Sequence, residues 1–467
     1  MPCRPPIGIE VCPLGCTCVP KTSARSVAFD VLLQVAVDDA YTNLVLPPAL
    51  ASSGLSDRDR ALATELVYGT SRRAGELDVV VASASGRTLA DLDTGVVILL
   101  RMAIYQLLFL RVPDHAAVAE GVELAKSRGF ARASGLVNAV LRNVTRGGTD
   151  KWTAVIGASV DVVASHPAWI ARLIEESLAH TGDQAELVEA LEGHNESPQV
   201  TLAHLPGLSR PKTGHTMYSP LGEVLSSGNP AHVPGVSSGE VRVQDEGSQL
   251  AALLLAHAEP LTKDDVVLDM CAGPGGKTAV LAAEALQVGA SVIAWERAPH
   301  RARLVKDSVR AITSSAPGTV SVLVGDALTL SAPERPVTRV LVDAPCSGMG
   351  ALRRRPESRW RKVPQEIPEL VSLQQGLLHR ALDLVAPGGV VAYVTCSPVL
   401  AETHEIVSTV LGSRDDAEAI NTPEVLDRIV EHPIDRAASG TAVQLWTYRH
   451  GCDDMFIQLL RKRRSVV

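Results

Sequence analysis

The chain reads as a multidomain protein: an all-α domain over 23–146, a small α/β accessory module over 151–243, and a doubly wound α/β domain with a seven-stranded sheet over 244–467. Three observations predict this. Apolar residues recur at helical spacing between Ser23 and Arg146; short β-like pieces mix with Pro, Gly and Ser between Pro198 and Val241; and from Asp265 β-branched runs alternate with helical ones. At 467 residues the chain is also too long for one ordinary core.

Residues 1–22 form a Pro-rich tail, expected to be disordered, that holds Cys3, Cys12, Cys16 and Cys18. Their spacing lacks the paired Cys-x-x-Cys of common structural zinc sites, so no metal is expected. The tail has neither the apolar core nor the length of a secretory signal, which points to a reducing cytoplasm and free thiols elsewhere.

The helices follow in order. Ala24–Val37 carries apolar residues at helical spacing, and Ser56-Asp-Arg-Asp-Arg60 is an N-cap signal leading into Ala61–Gly69. Thr94–Leu110 is apolar nearly all round, as expected of the buried centre of a bundle. Two more helices cover Ala116–Ser127 and Leu136–Asn143, and Gly147-Gly-Thr-Asp150 reads as a linker. In the accessory module, helices are expected from His166 to His180 and from Asp183 to Leu191. Gln244-Asp-Glu-Gly-Ser-Gln249 then opens an Ala/Leu-rich helix that ends near Pro260.

The strands of the α/β domain are expected at Val266–Asp269, Ser291–Trp295 and Ser321–Val324. Two more follow, one before Asp343 and one before Cys396, with Gln444–Trp446 and Phe456–Leu460 as a closing hairpin-like pair. Open α/β sheets keep their chemistry at the C-terminal edge of such strands.

Charge and hydropathy narrow the function. The formal charge is -8, and no apolar run approaches the roughly 20 residues of a membrane span. Basic residues nonetheless cluster between Lys126 and Arg146, between Arg353 and Lys362, and over Arg461–Arg464. Such clusters are either solvated faces or the footprint of phosphate binding in an acidic protein.

The loop after the first strand, Asp269-Met-Cys271-Ala272-Gly273-Pro274-Gly275-Gly276-Lys277-Thr278, brings backbone close to a ligand and opens a helix whose N–H groups face it. Three cofactor readings compete. A P-loop would need Gly where Cys271 stands, and a dinucleotide fingerprint would need Gly where Thr278 stands. The third is the nucleotide loop of S-adenosyl-L-methionine-dependent methyltransferases. Glu296, closing the second strand, then meets the ribose hydroxyls, and Asp326 ends the third.

Asp343-Ala-Pro-Cys346-Ser and Tyr393-Val-Thr-Cys396-Ser end two neighbouring apolar runs, so both sulfurs can face one pocket. These motifs, with Cys271-Ala-Gly-Pro-Gly-Gly-Lys277, resemble the RNA cytosine-5 methyltransferases. The helical domain resembles the NusB-like RNA-binding domain in Asp59-Arg60, Leu66-Val-Tyr-Gly69, Ala103-Ile-Tyr-Gln106 and Gly135-Leu-Val-Asn138-Ala-Val-Leu-Arg142-Asn143. That fusion is similar to the bacterial RsmB/Sun type, which modifies 16S ribosomal RNA.

The resemblance implies a Rossmann-like methyltransferase domain that binds S-adenosyl-L-methionine through residues 271 to 277, Glu296, Asp326 and Asp343. It implies Cys396 as nucleophile at carbon 6, Cys346 as the helper in product release, and Asp343 against the polar edge of the base. Arg353, Arg354, Arg355 and Arg359 would hold phosphates beside the base, with Trp360 either stacking on a nucleotide or anchoring the core. Arg142, with Asn138 and Arg146 on one helical face, would contact RNA. A monomer is expected, acting on 16S RNA before full subunit assembly.

Two departures stand out. Gly273 replaces an alanine of the family's commoner Ala-Ala-Pro. Thr201-Leu202-Ala203-His204 lacks the arginine of its Leu-Arg-Val-Asn, which weakens the case for RNA contact by the accessory module. Two other functions remain open at this level. One is a P-loop-like nucleotide hydrolase, with Arg339-Val-Leu-Val-Asp343 as its magnesium strand. The other is a non-catalytic RNA-binding or antitermination factor built on the helical domain.

Overall fold

The computed structural model describes residues 22–464, so the expected tail with Cys3, Cys12, Cys16 and Cys18 lies outside the described residues. The chain divides into two compact units, 22–159 and 160–464.

The first unit is all-α. Its helices run Ala24–Val37, Thr42–Ser52, Asp57–Arg72, Ala74–Ser85, Thr94–Leu108, Asp114–Ser127 and Ser134–Gly157. Local chemistry starts them where the pattern predicts: the Ser23 and Ser56 hydroxyls accept from the N–H of Ser26 and Asp59. Thr94–Leu108 is the buried axis, with Ile98, Leu99, Leu100 and Ile104 inside a core shared with Phe29, Leu66, Leu77 and Leu141.

The expected linker at Gly147–Asp150 is instead a kink inside the last helical segment. Gly148 alone leaves helical geometry, at φ 70° and ψ 165°, and the chain then resumes its helix. Trp152 drives this: it is buried in the same core and its indole N–H donates to the Val144 carbonyl at 2.8 Å.

The second unit is built on a mixed sheet of nine strands. Five parallel strands lie in the order Val320–Val324, Ser291–Glu296, Val266–Asp269, Val337–Asp343, Val385–Thr395, followed by antiparallel Met455–Lys462 and Ala442–Leu445. These are the seven expected strands. Two short ones, Ala417–Ala419 and Ala438–Ser439, extend the sheet and bring it to nine.

Alternate residues of the central strands feed two cores, as strands covered on both faces must. Val267, Leu341, Ala392 and Val394 pack against the helices Glu246–Ala256 and Gly276–Val288. Val266, Leu268, Val340, Val342, Val391 and Tyr393 pack against Ile367–Leu384 and His404–Gly412.

The stretch expected as an accessory module belongs to this same unit. Strands Val200–His204, Gly222–Leu225 and Val241–Val243 form a three-stranded antiparallel sheet. Helices Ala168–His180 and Leu187–Gly193 bury Ile170, Ile174, Leu178 and Leu191 against Met349, Leu352, Val399 and Trp446. They therefore back the segments that follow both motif cysteines. No described helix is long and apolar enough to cross a membrane.

Candidate active site

All five parallel strands end along one edge, and the residues expected for catalysis and cofactor binding lie at or just past those ends. Cys396 follows the last residue of its strand, and its carbonyl accepts from the Gly350 N–H at 3.0 Å. Cys346 sits three residues beyond Asp343, in a turn that begins with Ala344 donating to the Val394 carbonyl at 2.9 Å. The two sulfurs are 3.5 Å apart and both half-buried.

That contact divides the labour between two identical side chains. The hydrogen bond from Cys346 lowers the Cys396 pKa against the opposing effect of burial, and the Lys277 ammonium adds to the lowering. The same hydrogen bond, then burial and the Glu402 carboxylate, push the Cys346 thiol up. Of the two thiols, Cys396 is thus the one that gives up its proton more readily.

Lys277 connects this pair to the glycine loop. Its ammonium lies 2.8 Å from Asp343 Oδ2, in a nearly closed environment. Burial alone would lower the Lys277 pKa, but the Asp343 carboxylate outweighs it and the lysine stays charged.

The loop is held from beneath by Asp269, which is 1% exposed and accepts from Thr278 Oγ1 at 2.7 Å and the Cys271 N–H at 3.3 Å. Burial pushes its carboxyl up to about 7. The Cys271 thiol is raised by burial and by the carboxylates of Asp269, Asp343 and Glu296, so it stays neutral.

Gly273 donates to Glu296 Oε2 at 3.0 Å, while its carbonyl meets the Arg301 guanidinium. A Cβ on Gly273 would stand 2.2 Å from that Glu296 oxygen, so a larger residue here would require the Glu296 carboxylate to shift. Gly275, at φ +104°, would drive a Cβ to 2.9 Å from the Val305 Cα, so the loop lies flat against the helix Pro299–Ser308.

The cradle suits an adenosyl group carrying an amino acid. Glu296 also accepts from Ala298 N–H at 2.8 Å, and a carboxylate with about four acceptor sites has capacity left for the two ribose hydroxyls. Asp326 is half-buried past the third strand and accepts from Leu328 N–H at 2.9 Å. Gln244, 7% exposed, packs its amide against Gly276 and has Oε1 buried without a partner, an acceptor awaiting a donor such as an ammonium.

Comparison with known proteins now decides the family. A family model described as "16S rRNA methyltransferase RsmB/F" matches residues 256–461, and a NusB family model matches 22–146. The Escherichia coli ribosomal RNA small subunit methyltransferase B is 31% identical over 418 residues, covering 86% of this chain and 93% of its own. The chain belongs to the RsmB/F family of 16S rRNA methyltransferases.

The Mycobacterium tuberculosis protein MT1451 is 41% identical over 458 residues, 95% of this chain and 97% of that one. The solved protein PH0851 shares the fold at TM-score 0.72 and 21% identity, over 95% of this chain and 99% of its own. As an RsmB/F member the chain is an S-adenosylmethionine-dependent ribosomal RNA methyltransferase with a NusB-type helical domain. The nucleotide-hydrolase and non-catalytic alternatives are thereby set aside.

The basic stretch after Cys346 corrects the expectation for RNA. Arg359 is 0% exposed and donates to the carbonyls of Ser165 and His194 and to Asn195 Oδ1, so it is an internal tie and not a phosphate contact. Arg353 is likewise buried, bonded to Asp453 at 2.8 Å, Asp245 at 3.2 Å and the Gly451 carbonyl at 2.9 Å. Arg354 is part-exposed but shares Asp453 and Asp245 with it. Arg355 faces solvent, as does Trp360 at 39%, which rules out a core anchor for that indole. Arg142, in the helical unit, is exposed and donates to Asn138 Oδ1 at 3.2 Å.

Sequence reasoning missed Glu402. It is fully buried and accepts from the N–H and hydroxyl of Ser347 and from the hydroxyl of Ser397, the serines that follow the two cysteines. A lone carboxylate after the apolar Val399-Leu-Ala401 was the available signal. It missed Asp245 and Asp453 too, because their arginine partners lie 99 to 109 residues away.

Proposed function

We propose that the chain methylates carbon 5 of a cytosine in small-subunit ribosomal RNA through a covalent adduct on Cys396. The observation that carries this reading is the pair of sulfurs 3.5 Å apart, one favoured as thiolate, beside the Lys277–Asp343 bridge to the cofactor loop. Carbon 5 of cytosine is a weak nucleophile until a group adds to carbon 6 and shifts the double-bond electrons toward it. A thiolate both attacks and leaves readily, which suits Cys396.

S-adenosylmethionine, when bound by residues 271 to 277, Glu296, Asp326 and Asp343, supplies an electrophilic methyl group. Asp343 accepts from the exocyclic amino group of the base, and Lys277 beside it offsets the negative charge that develops on the ring. After methylation carbon 5 carries a proton that has to leave before the carbon–sulfur bond breaks. Cys346, whose sulfur lies 3.5 Å from that of Cys396, is the group assigned to this proton. It takes that proton as thiolate after passing its own to solvent, a loss made easier once adduct formation removes the hydrogen bond to Cys396, the largest of the effects that hold its pKa up.

The base must leave its stack, at a cost of a few kcal/mol. This favours RNA not yet closed within the assembled subunit. One copy of the chain holds every site residue, so a monomer suffices.

The test uses two variants. Cys396→Ser is expected to lower methyl transfer by roughly a thousandfold while leaving S-adenosylmethionine binding within about twofold. Cys346→Ala is expected to accumulate a denaturant-resistant RNA–protein band. Full activity in Cys396→Ser would overturn the covalent reading, and bisulfite sequencing of ribosomal RNA with and without the protein would identify the base.

A further inference from the structure

Both motif cysteines are followed by serine, and the two serines meet. Ser347 Oγ lies 3.0 Å from Ser397 Oγ, and both hydroxyls donate to Glu402 Oε2. The other oxygen, Oε1, accepts from Ser347 N–H at 2.7 Å and from Gln374 Nε2 at 3.1 Å, and the same Gln374 nitrogen donates to the Pro345 carbonyl at 2.9 Å. Of the residues on either side of Cys346, Ser347 is thus fastened to Glu402 directly and Pro345 to it through Gln374. Tyr393 OH closes the cage by donating to the Glu402 carbonyl at 2.7 Å.

The two cysteines depend on this cage unequally. Cys396 continues directly from a strand paired on both sides, Thr395 opposite Phe456 and Val394 opposite Asp343, and its carbonyl is bonded to Gly350. Cys346 lies in a turn past the end of its strand, and Glu402 and Gln374 are its flanking anchors.

We propose that Glu402 is a positioning residue for Cys346, and through it for the step that releases methylated RNA. This rests on the covalent reading above. Removing the carboxylate frees Cys346 while the strand still holds Cys396, so adduct formation survives and release slows.

The experiment compares Glu402→Gln, Glu402→Asp, the milder Ser347→Ala and Cys346→Ala in the full chain with RNA substrate. Glu402→Gln is expected to keep single-turnover adduct formation within about threefold while turnover falls about tenfold and adduct accumulates, with partial recovery in Glu402→Asp. Ser347→Ala, which removes one tether, is expected to show the same imbalance at about threefold. A separate arm without RNA measures disulfide formation between positions 346 and 396 under diamide, expected to slow at least about fivefold in Glu402→Gln and Ser347→Ala.

A purely structural role would lower Tm and both rates together, without accumulation. If Cys346→Ala traps adduct but neither Glu402→Gln nor Ser347→Ala does, Glu402 does not position Cys346. Should Glu402→Gln fail to fold, Ser347→Ala with unaltered release and disulfide rates overturns the proposal by itself. If Cys346→Ala traps nothing, the covalent reading fails and the release role with it, while an unaltered disulfide rate would independently refute the anchoring.

Discussion

A buried carboxyl under the cofactor loop makes the stability of the second unit depend on pH. Asp269 moves from an ordinary 3.8 to about 7, with burial as the leading cause. A carboxyl raised in the folded state favours folding most when protonated in both states, below about 4, and that contribution is lost as pH climbs through about 7. The full swing is on the order of 4 kcal/mol at most. Asp269→Asn should therefore flatten the loss of Tm between pH 4 and 7, a difference of several degrees in paired thermal scans. A parallel pH dependence in variant and wild type would show that Asp269 does not titrate there. The same residue scale separates two cysteines that composition cannot tell apart: the family resemblance implies different roles for them, and beyond the hydrogen bond they share their surroundings differ, with Lys277 lowering the Cys396 pKa and Glu402 raising that of Cys346.

At the scale of elements, the segment 346–361 looks in sequence like one basic surface, yet its arginines do opposite things. Arg359 satisfies three acceptors on the turns around the helices Ala168–His180 and Leu187–Gly193, and Arg353 is locked between two aspartates. Arg359→Ala would orphan those acceptors and open a cavity, for a loss of about 3–5 kcal/mol visible as a lower Tm. Arg355→Ala, at an exposed side chain, should lower Tm less than Arg359→Ala and weaken RNA binding, with the salt slope reduced by about 1. Equal effects of the two on Tm would refute this division. The hydrophobic side of the same element explains why helices from residue 168 onward belong with the active site: Leu178, Ile174 and Leu191 pack on Met349, Leu352 and Val399, next to the cysteine segments.

For the whole molecule, the boundary of the helical unit is the sharpest consequence of tertiary packing. A fragment 22–159 should unfold cooperatively, whereas 22–150 lacks Trp152 and should be less stable by about 3–5 kcal/mol, measured by urea denaturation of the two fragments. Identical midpoints would mean that Trp152 is dispensable. A Gly-Gly pair looks like a linker because local preference favours a break there, and only the burial of a tryptophan four residues on turns it into a kink. What the amino-acid order determined by itself was local and periodic: the cap at Ser56, the helical spacing of the first unit, the β-branched runs that become strands, the glycine loop, and the two cysteine motifs at strand ends. Those features need only neighbours along the chain, so they can be read from it. Which arginines are buried, which carboxylate anchors both cysteine segments, and where the first unit closes were decided by tertiary structure, because each depends on desolvation by residues remote in sequence.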